Sequence, residues 1–210
     1  MDPFDGLEAV WRSCFQLAWE SFRAGSLGVG AVLVDDRGAV VSSGRNRSLE
    51  RSGPQGGVAG SRIAHAELNA LATVPPGDYA AHTLYTTLEP CLLCTAALRL
   101  SHVGAVRFAA PDPLWSGIER IPDLSEQLSR RWTRRHGPLD GPLRTWGALL
   151  PLITAVESAN EAVLRSHADT MPEVLAVARK WAGANADRLR TADLDSAWAA
   201  VWPDIAASPG

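Results

Sequence analysis

The chain has 210 residues and a mass of 22.4 kDa, enough for one well-buried core with room for an appendage. Hydrophobic residues make up 46% and charged residues 20%, which excludes wholesale disorder. A net charge of −3 and a pI of about 5.9 argue against broad binding to nucleic acid or a membrane surface, and Lys180 is the only lysine among the 20 basic residues.

From Leu7, apolar residues recur at Val10, Trp11, Cys14, Phe15, Ala18 and Phe22, a helical stripe that makes Cys14 a buried core thiol. Residues 29–34 read as a buried strand, Asp35-Asp36-Arg37-Gly38 as a hairpin turn, and residues 39–44 as the returning strand. A loop rich in Gly, Ser and Arg follows, then a helix over residues 64–74 that Pro75-Pro76-Gly77 stops. Residues 82–88 predict a third strand, 91–100 a helix, and 105–109 a fourth strand. The order α-β-β-α-β-α-β predicts an α/β sheet with helices packed against it.

Beyond Pro111-Asp112-Pro113 the pattern changes. No equally clear fifth strand follows; residues 142–145 are the place for a short one, and the chain reads as helical from Trp146. Arg130-Arg131-Trp132-Thr133-Arg134-Arg135, basic with one aromatic, is the stretch that would suit a phosphate-contacting surface, but such a run is more often a solvated helix face. Thr170-Met171-Pro172-Glu173 has the form of a capping box, and Leu194, Trp198, Val201 and Trp202 make a last apolar stripe. Residues 1–145 are therefore expected to form one domain, with residues 146–210 a helical extension packed on it. The N-terminus is acidic where a secretory leader is basic, and the most apolar stretch is short and broken by Pro151, so the cytoplasm is the expected compartment and no membrane partner is expected.

The three cysteines, Cys14, Cys91 and Cys94, are an odd number, which favours a metal or redox site over a disulfide framework. Cys91 and Cys94 stand three apart behind Pro90 at a helix start, so both sulfurs face one ion and the helix N-terminus favours their thiolates. His65 and Glu67 lie in the first turn of the preceding helix, where side chains tilt toward its N-terminus. If the second and third strands run parallel, both helices begin at the carboxyl edge of the sheet, and His65 meets the cysteines there. One His and two Cys suit Zn²⁺ with the fourth position open to water. The competing arrangement is a closed zinc site whose fourth ligand is His82, His102 or Asp112, and it leaves Glu67 without a role.

His65-Ala66-Glu67 followed by Pro90-Cys91-Leu92-Leu93-Cys94 resembles the zinc-dependent cytidine deaminase superfamily. Residues 29–34, Gly44-Arg45-Asn46-Arg47, Thr87-Leu88-Glu89-Pro90-Cys91 and Ser101-His102-Val103-Gly104-Ala105-Val106 resemble its branch of tRNA adenosine, guanine and cytosine deaminases. The resemblance runs from about Leu7 to Asp112. It departs where Gly60-Ser61-Arg62-Ile63 stands in place of the family's Asp-Pro-Thr, and the loop over residues 47–63 is enlarged relative to the tRNA enzymes.

What the resemblance implies is a three-layer α/β/α sandwich with a mixed, mostly parallel sheet, carrying the C-terminal helices as an addition. It implies hydrolytic deamination of an aminated nitrogen heterocycle, with zinc on His65, Cys91 and Cys94 activating water and Glu67 moving its protons. It also implies that Asn46, the Ala66 N–H and the Leu88 or Pro90 carbonyl orient the ring, with Glu89 structural. The expected substrate is a free nucleobase, nucleoside or related small heterocycle. A tRNA adenosine deaminase is the alternative, and a non-catalytic zinc scaffold a distant third. Nucleic acid is not the expected partner; a second copy of the chain, forming a homodimer, is.

Overall fold

Alternation along the second element explains the architecture. A computed structural model describes residues 4–206. In it, strand β1 (Gly30–Val34) is buried on both faces. Its Val32 and Val34 enter one core with helix α1 (Ala9–Arg23), and its Ala31 and Leu33 enter another with α2 (Ala66–Leu71) and α3 (Leu92–Leu100). Successive side chains of a strand point to opposite faces, so a run with no polar residue needs cover on both.

β1 turns back into β2 (Val40–Arg45) through a tight hairpin. Gly38 takes φ +80° there, and the Asp35 carboxylate accepts from the N–H groups of Arg37 and Ala39 at 2.9 and 2.8 Å. β3 (Thr83–Leu88) pairs antiparallel with the other edge of β1, and β4 (Ala105–Ala110) pairs parallel with β3. The fifth strand is β5 (Arg134–His136), parallel to β4, which gives the order β2-β1-β3-β4-β5. β1 alone runs against the others, so β2 and β3 point the same way, as the crossover through α2 requires.

Two sequence expectations fail beyond β4. The arginine run is not a helix face, because Arg134 and Arg135 belong to β5, paired with Ala105 and Val106. Arg135 reaches inward to Glu89 at 2.7 Å and to the Thr95 hydroxyl at 3.0 Å, so this edge strand is held by ion pairing rather than apolar alternation. Residues 142–145 form the first turn of α5 (Pro142–Glu157), not a strand; Pro142 fits a first helical position, whose N–H has no intrahelical acceptor.

Between β4 and β5 lie two 3-10 segments, Pro113–Trp115 and Ile118–Leu124, and the short α4 (Glu126–Ser129). After α5 come α6 (Glu161–Thr170), α7 (Pro172–Trp181), α8 (Ala184–Thr191) and α9 (Leu194–Ile205). The capping box is half right. Pro172 opens α7, but the Thr170 hydroxyl donates back to the Ser166 carbonyl at 2.7 Å, and Met171 is the cap residue. Trp146, Leu149, Leu150 and Ile153 of α5 share a core with Trp11, Phe15 and Trp19 of α1, and α9 adds Trp198 and Val201. Among the described residues, no helix is long and apolar enough to cross a membrane.

Candidate active site

Two helix starts build the site. His65 and Cys91 occupy the N-cap positions of α2 and α3, and neither side chain bonds its own helix, which leaves both free to face outward from the sheet edge. The Cys91 and Cys94 sulfurs are 3.6 Å apart, and His65 Nδ1 lies 3.5 Å from the first and 3.3 Å from the second. All three donor atoms fall within 4.8 Å of one another. Ligands on one tetrahedral zinc stand about 3.8 Å apart for two sulfurs and about 3.5 Å for sulfur and nitrogen, so the cluster matches that geometry.

The electrostatics point the same way. Its hydrogen bond with Cys94, reinforced by His65, holds the Cys91 thiol down to about 4. The same bond and burial push Cys94 upward, and the bond to Cys91 raises His65. Two sulfurs sharing one proton beside an imidazole are a site for a dication, which takes both as thiolates. His82, His102 and Asp112, the candidates for a fourth ligand, are not among the clustered donors. His82 packs edge-on against Tyr79, and His102 faces Arg131.

Glu67, 4% exposed, sits beside the ligands. The Thr86 hydroxyl donates to its Oε1 at 3.1 Å, and its Oε2 is 3.3 Å from the Cys94 sulfur. Burial pushes its carboxyl above the usual range. His65, Cys91 and Glu67 line a cavity of about 800 Å³, with Cys94 fully buried beside them. Asn46 lines it, 3% exposed. Its Oδ1 accepts from the Ser48 N–H at 3.0 Å, which fixes the amide orientation and leaves Nδ2 as the free donor. Asn46 is therefore both a turn residue and a cavity residue.

Of the other expected substrate contacts, Leu88 lines the cavity. Ala66 and Pro90 are buried behind it, and the Pro90 carbonyl already accepts from the Thr95 hydroxyl at 3.2 Å. Glu89 accepts from the Asp112 N–H at 3.2 Å and from Arg135, which is the structural part expected of it. Burial, with the negative charges of Glu89 and Cys91 nearby, pushes the Asp112 carboxyl up to about 7, against the opposing Leu114 N–H bond.

The enlarged loop and the segment beyond β4 supply the remaining wall. The 3-10 segment supplies Leu114 and Trp115, α5 supplies Pro151, Thr154 and Ala155, and α6 supplies Val163 and His167. The enlarged loop adds Ser48, Leu49 and Arg62. No spacing in the sequence marks Thr154 or His167, because α6 reaches the cavity by packing on the 3-10 segment, α5 and α7.

The model of the cytidine and deoxycytidylate deaminase zinc-binding region matches residues 5–110. Over 109 residues the chain is 35% identical to a tRNA-specific adenosine deaminase of Haemophilus influenzae, covering 50% of this chain and 58% of that protein. Over 86 residues it is 30% identical to a cytosine deaminase of Candida albicans, covering 40% and 52%. A solved guanine deaminase from Bacillus subtilis is 29% identical, with a TM-score of 0.40, over 48% of this chain and 62% of that one. The chain thus spans little more than half the length of the two curated relatives.

Proposed function

The chain belongs to the cytidine and deoxycytidylate deaminase zinc-binding family, and on that premise we propose that it hydrolytically deaminates a free nucleobase, nucleoside or related aminated heterocycle. The observation that carries this reading is the clustering of His65, Cys91 and Cys94 at the edge of one cavity, which His65, Cys91 and Glu67 line. His65, Cys91 and Cys94 would hold zinc, which would supply a water of lowered pKa. Glu67, its Oε1 held by Thr86, carries the two protons of the attacking water in turn on Oε2, the first to the ring nitrogen and the second to the departing amine. The water oxygen ends on the ring carbon, the carbon–nitrogen bond breaks, and ammonia leaves. Asn46 Nδ2 donates to the substrate and orients it.

The small-substrate reading rests on the wall that α5, α6 and the 3-10 segment place around the cavity. It also rests on where the basic side chains are. A recess of about 410 Å³ lined by Arg99, His102, Gln127, Arg130 and Arg131 lies toward the far end of α3 from Cys91 and Cys94, and among the described residues Arg62 is the one arginine lining the cavity itself. The arginines of the recess are engaged: Arg99 donates to the Gln127 carbonyl, Arg130 pairs with Glu126, and Arg131 bonds His102. The second reading, adenosine deamination in tRNA, is favoured by the 35% identity to the Haemophilus enzyme. We further propose that two copies associate through the exposed apolar face of α3.

Ammonia release from guanine, adenine, cytosine, their nucleosides and aminated triazines, set against inosine formation in a tRNA anticodon stem-loop, separates the readings. Turnover of a small molecule without salt-sensitive RNA binding is expected. Inosine formed in the stem-loop faster than product from every small molecule decides for the second.

A further inference from the structure

His167 is buried to 4% exposure yet lines the cavity from α6. Its Nδ1 lies 2.9 Å from the Val163 carbonyl. A carbonyl only accepts, so the imidazole proton sits on Nδ1, and Nε2 presents a bare lone pair. No protein group donates to that nitrogen among the described hydrogen bonds. Thr154, on the α5 part of the same wall, has a buried hydroxyl that also lacks a partner. Around them the wall is mostly apolar, with Ala148, Pro151, Leu152, Ala155 and Val163, and Ser158 and Asn160 are its other polar residues. Native interiors leave few such groups unpaired, and an apolar wall with isolated polar groups is how small-molecule sites fix orientation.

α6 packs mainly on the 3-10 segment Pro113–Trp115, on α7 and on α5, whereas the metal ligands stand at the starts of α2 and α3, so His167 enters the cavity from a different wall than the ligands do. The cavity of about 800 Å³ lies toward the upper end of the roughly 300–1,000 Å³ usual for small-molecule sites, leaving room beyond a ring held at the metal.

We propose that His167 is a specificity-determining residue: its Nε2 accepts a hydrogen bond from a hydroxyl on the ring substituent of the substrate, so that a ribosylated base is preferred to the bare base. This rests on the small-substrate reading above. The donor must come from the substrate because a neutral imidazole with Nδ1 engaged has only an acceptor to offer. A bare base held at the metal leaves the nitrogen unpaired.

The test measures binding by calorimetry to zinc-loaded Glu67→Ala protein, using adenine with adenosine, guanine with guanosine, and cytosine with cytidine. At least one ribonucleoside is expected to bind about tenfold or more tighter than its base. Adding His167→Asn keeps a donor near the Nδ1 position and removes the Nε2 acceptor; it should erase most of that ratio and leave the base affinity unchanged. His167→Gln, whose amide oxygen reaches the Nε2 position, should restore part of it. His167→Phe gives the same reading if the Asn variant is poorly folded. A ratio unchanged in the Asn and Phe variants, or equal weakening of base and nucleoside, overturns the proposal. If bases and nucleosides are turned over and only the ratio ignores His167, the subsite falls alone. If no member of the panel binds or reacts, the subsite falls together with the small-substrate reading.

Discussion

Glu67 stands among metal ligands without being one. Its Oε1 is held by Thr86, and its Oε2 is left facing the ligand cluster, so its contribution is separable from metal binding. Replacing Glu67 with Ala should lower kcat by about 10²-fold or more while zinc content and fold stay intact, since positioned proton transfer is worth about 10²–10⁴-fold. Cys91→Ala and His65→Ala should lose zinc as well as turnover, because each removes one of three ligands. Metal analysis beside ammonia release checks both halves, and near-normal turnover by Glu67→Ala would remove the acid/base role. Cys14 is the contrast: fully buried, its thiol donating to the Tyr85 carbonyl at 3.6 Å and its pKa pushed upward by burial, it has no route to metal chemistry.

The element that sets His65 and Glu67 is α2, and its approach to the sheet is fixed by Gly44 of β2. A Cβ there would fall within 3.0 Å of the Ala66 carbonyl oxygen and the Ala70 nitrogen, both backbone atoms that cannot turn aside. Gly44→Ala should therefore cost about 1–3 kcal/mol, as overpacking does, and weaken zinc binding by displacing the helix that carries His65. Urea unfolding and zinc titration measure the two, and no change in either would mean that α2 shifts freely. The elements from α1 to β4 were legible because most of them bury a face, while β2, largely exposed, is announced by the Asp35 to Gly38 turn before it. The metal ligands were legible because each stands at a helix start. β5 was not, since three residues of edge strand are held by ladder bonds and by Arg135 pairing with Glu89, 46 residues away in sequence. The wall with Thr154 and His167 was equally hidden, because the packing of α6 on Pro113–Trp115 makes it, not a local pattern.

At the scale of the whole molecule, the location of unburied apolar surface changes the argument for a dimer. The apolar helices after Trp146 do not offer it, because Trp146, Leu149, Leu150 and Ile153 are spent inside the core of the chain itself, with α1 on one side and Trp198 of α9 adding to it. The exposed large apolar side chains include Leu92 at 49%, Leu93 at 41% and Leu100 at 76%, all on α3. Single exposed leucines are ordinary, but Leu93 and Leu100 are seven residues apart and so share one helix face. A second copy covering that face would remove both from water without disturbing the metal, whose ligands face the cavity. Light scattering should give twice the chain mass at micromolar concentration. Leu93→Glu combined with Leu100→Glu should shift it to the monomer with zinc content unchanged, because a buried unpaired carboxylate pair at the contact opposes association. A wild-type chain that stays monomeric at high concentration would exclude the α3 interface.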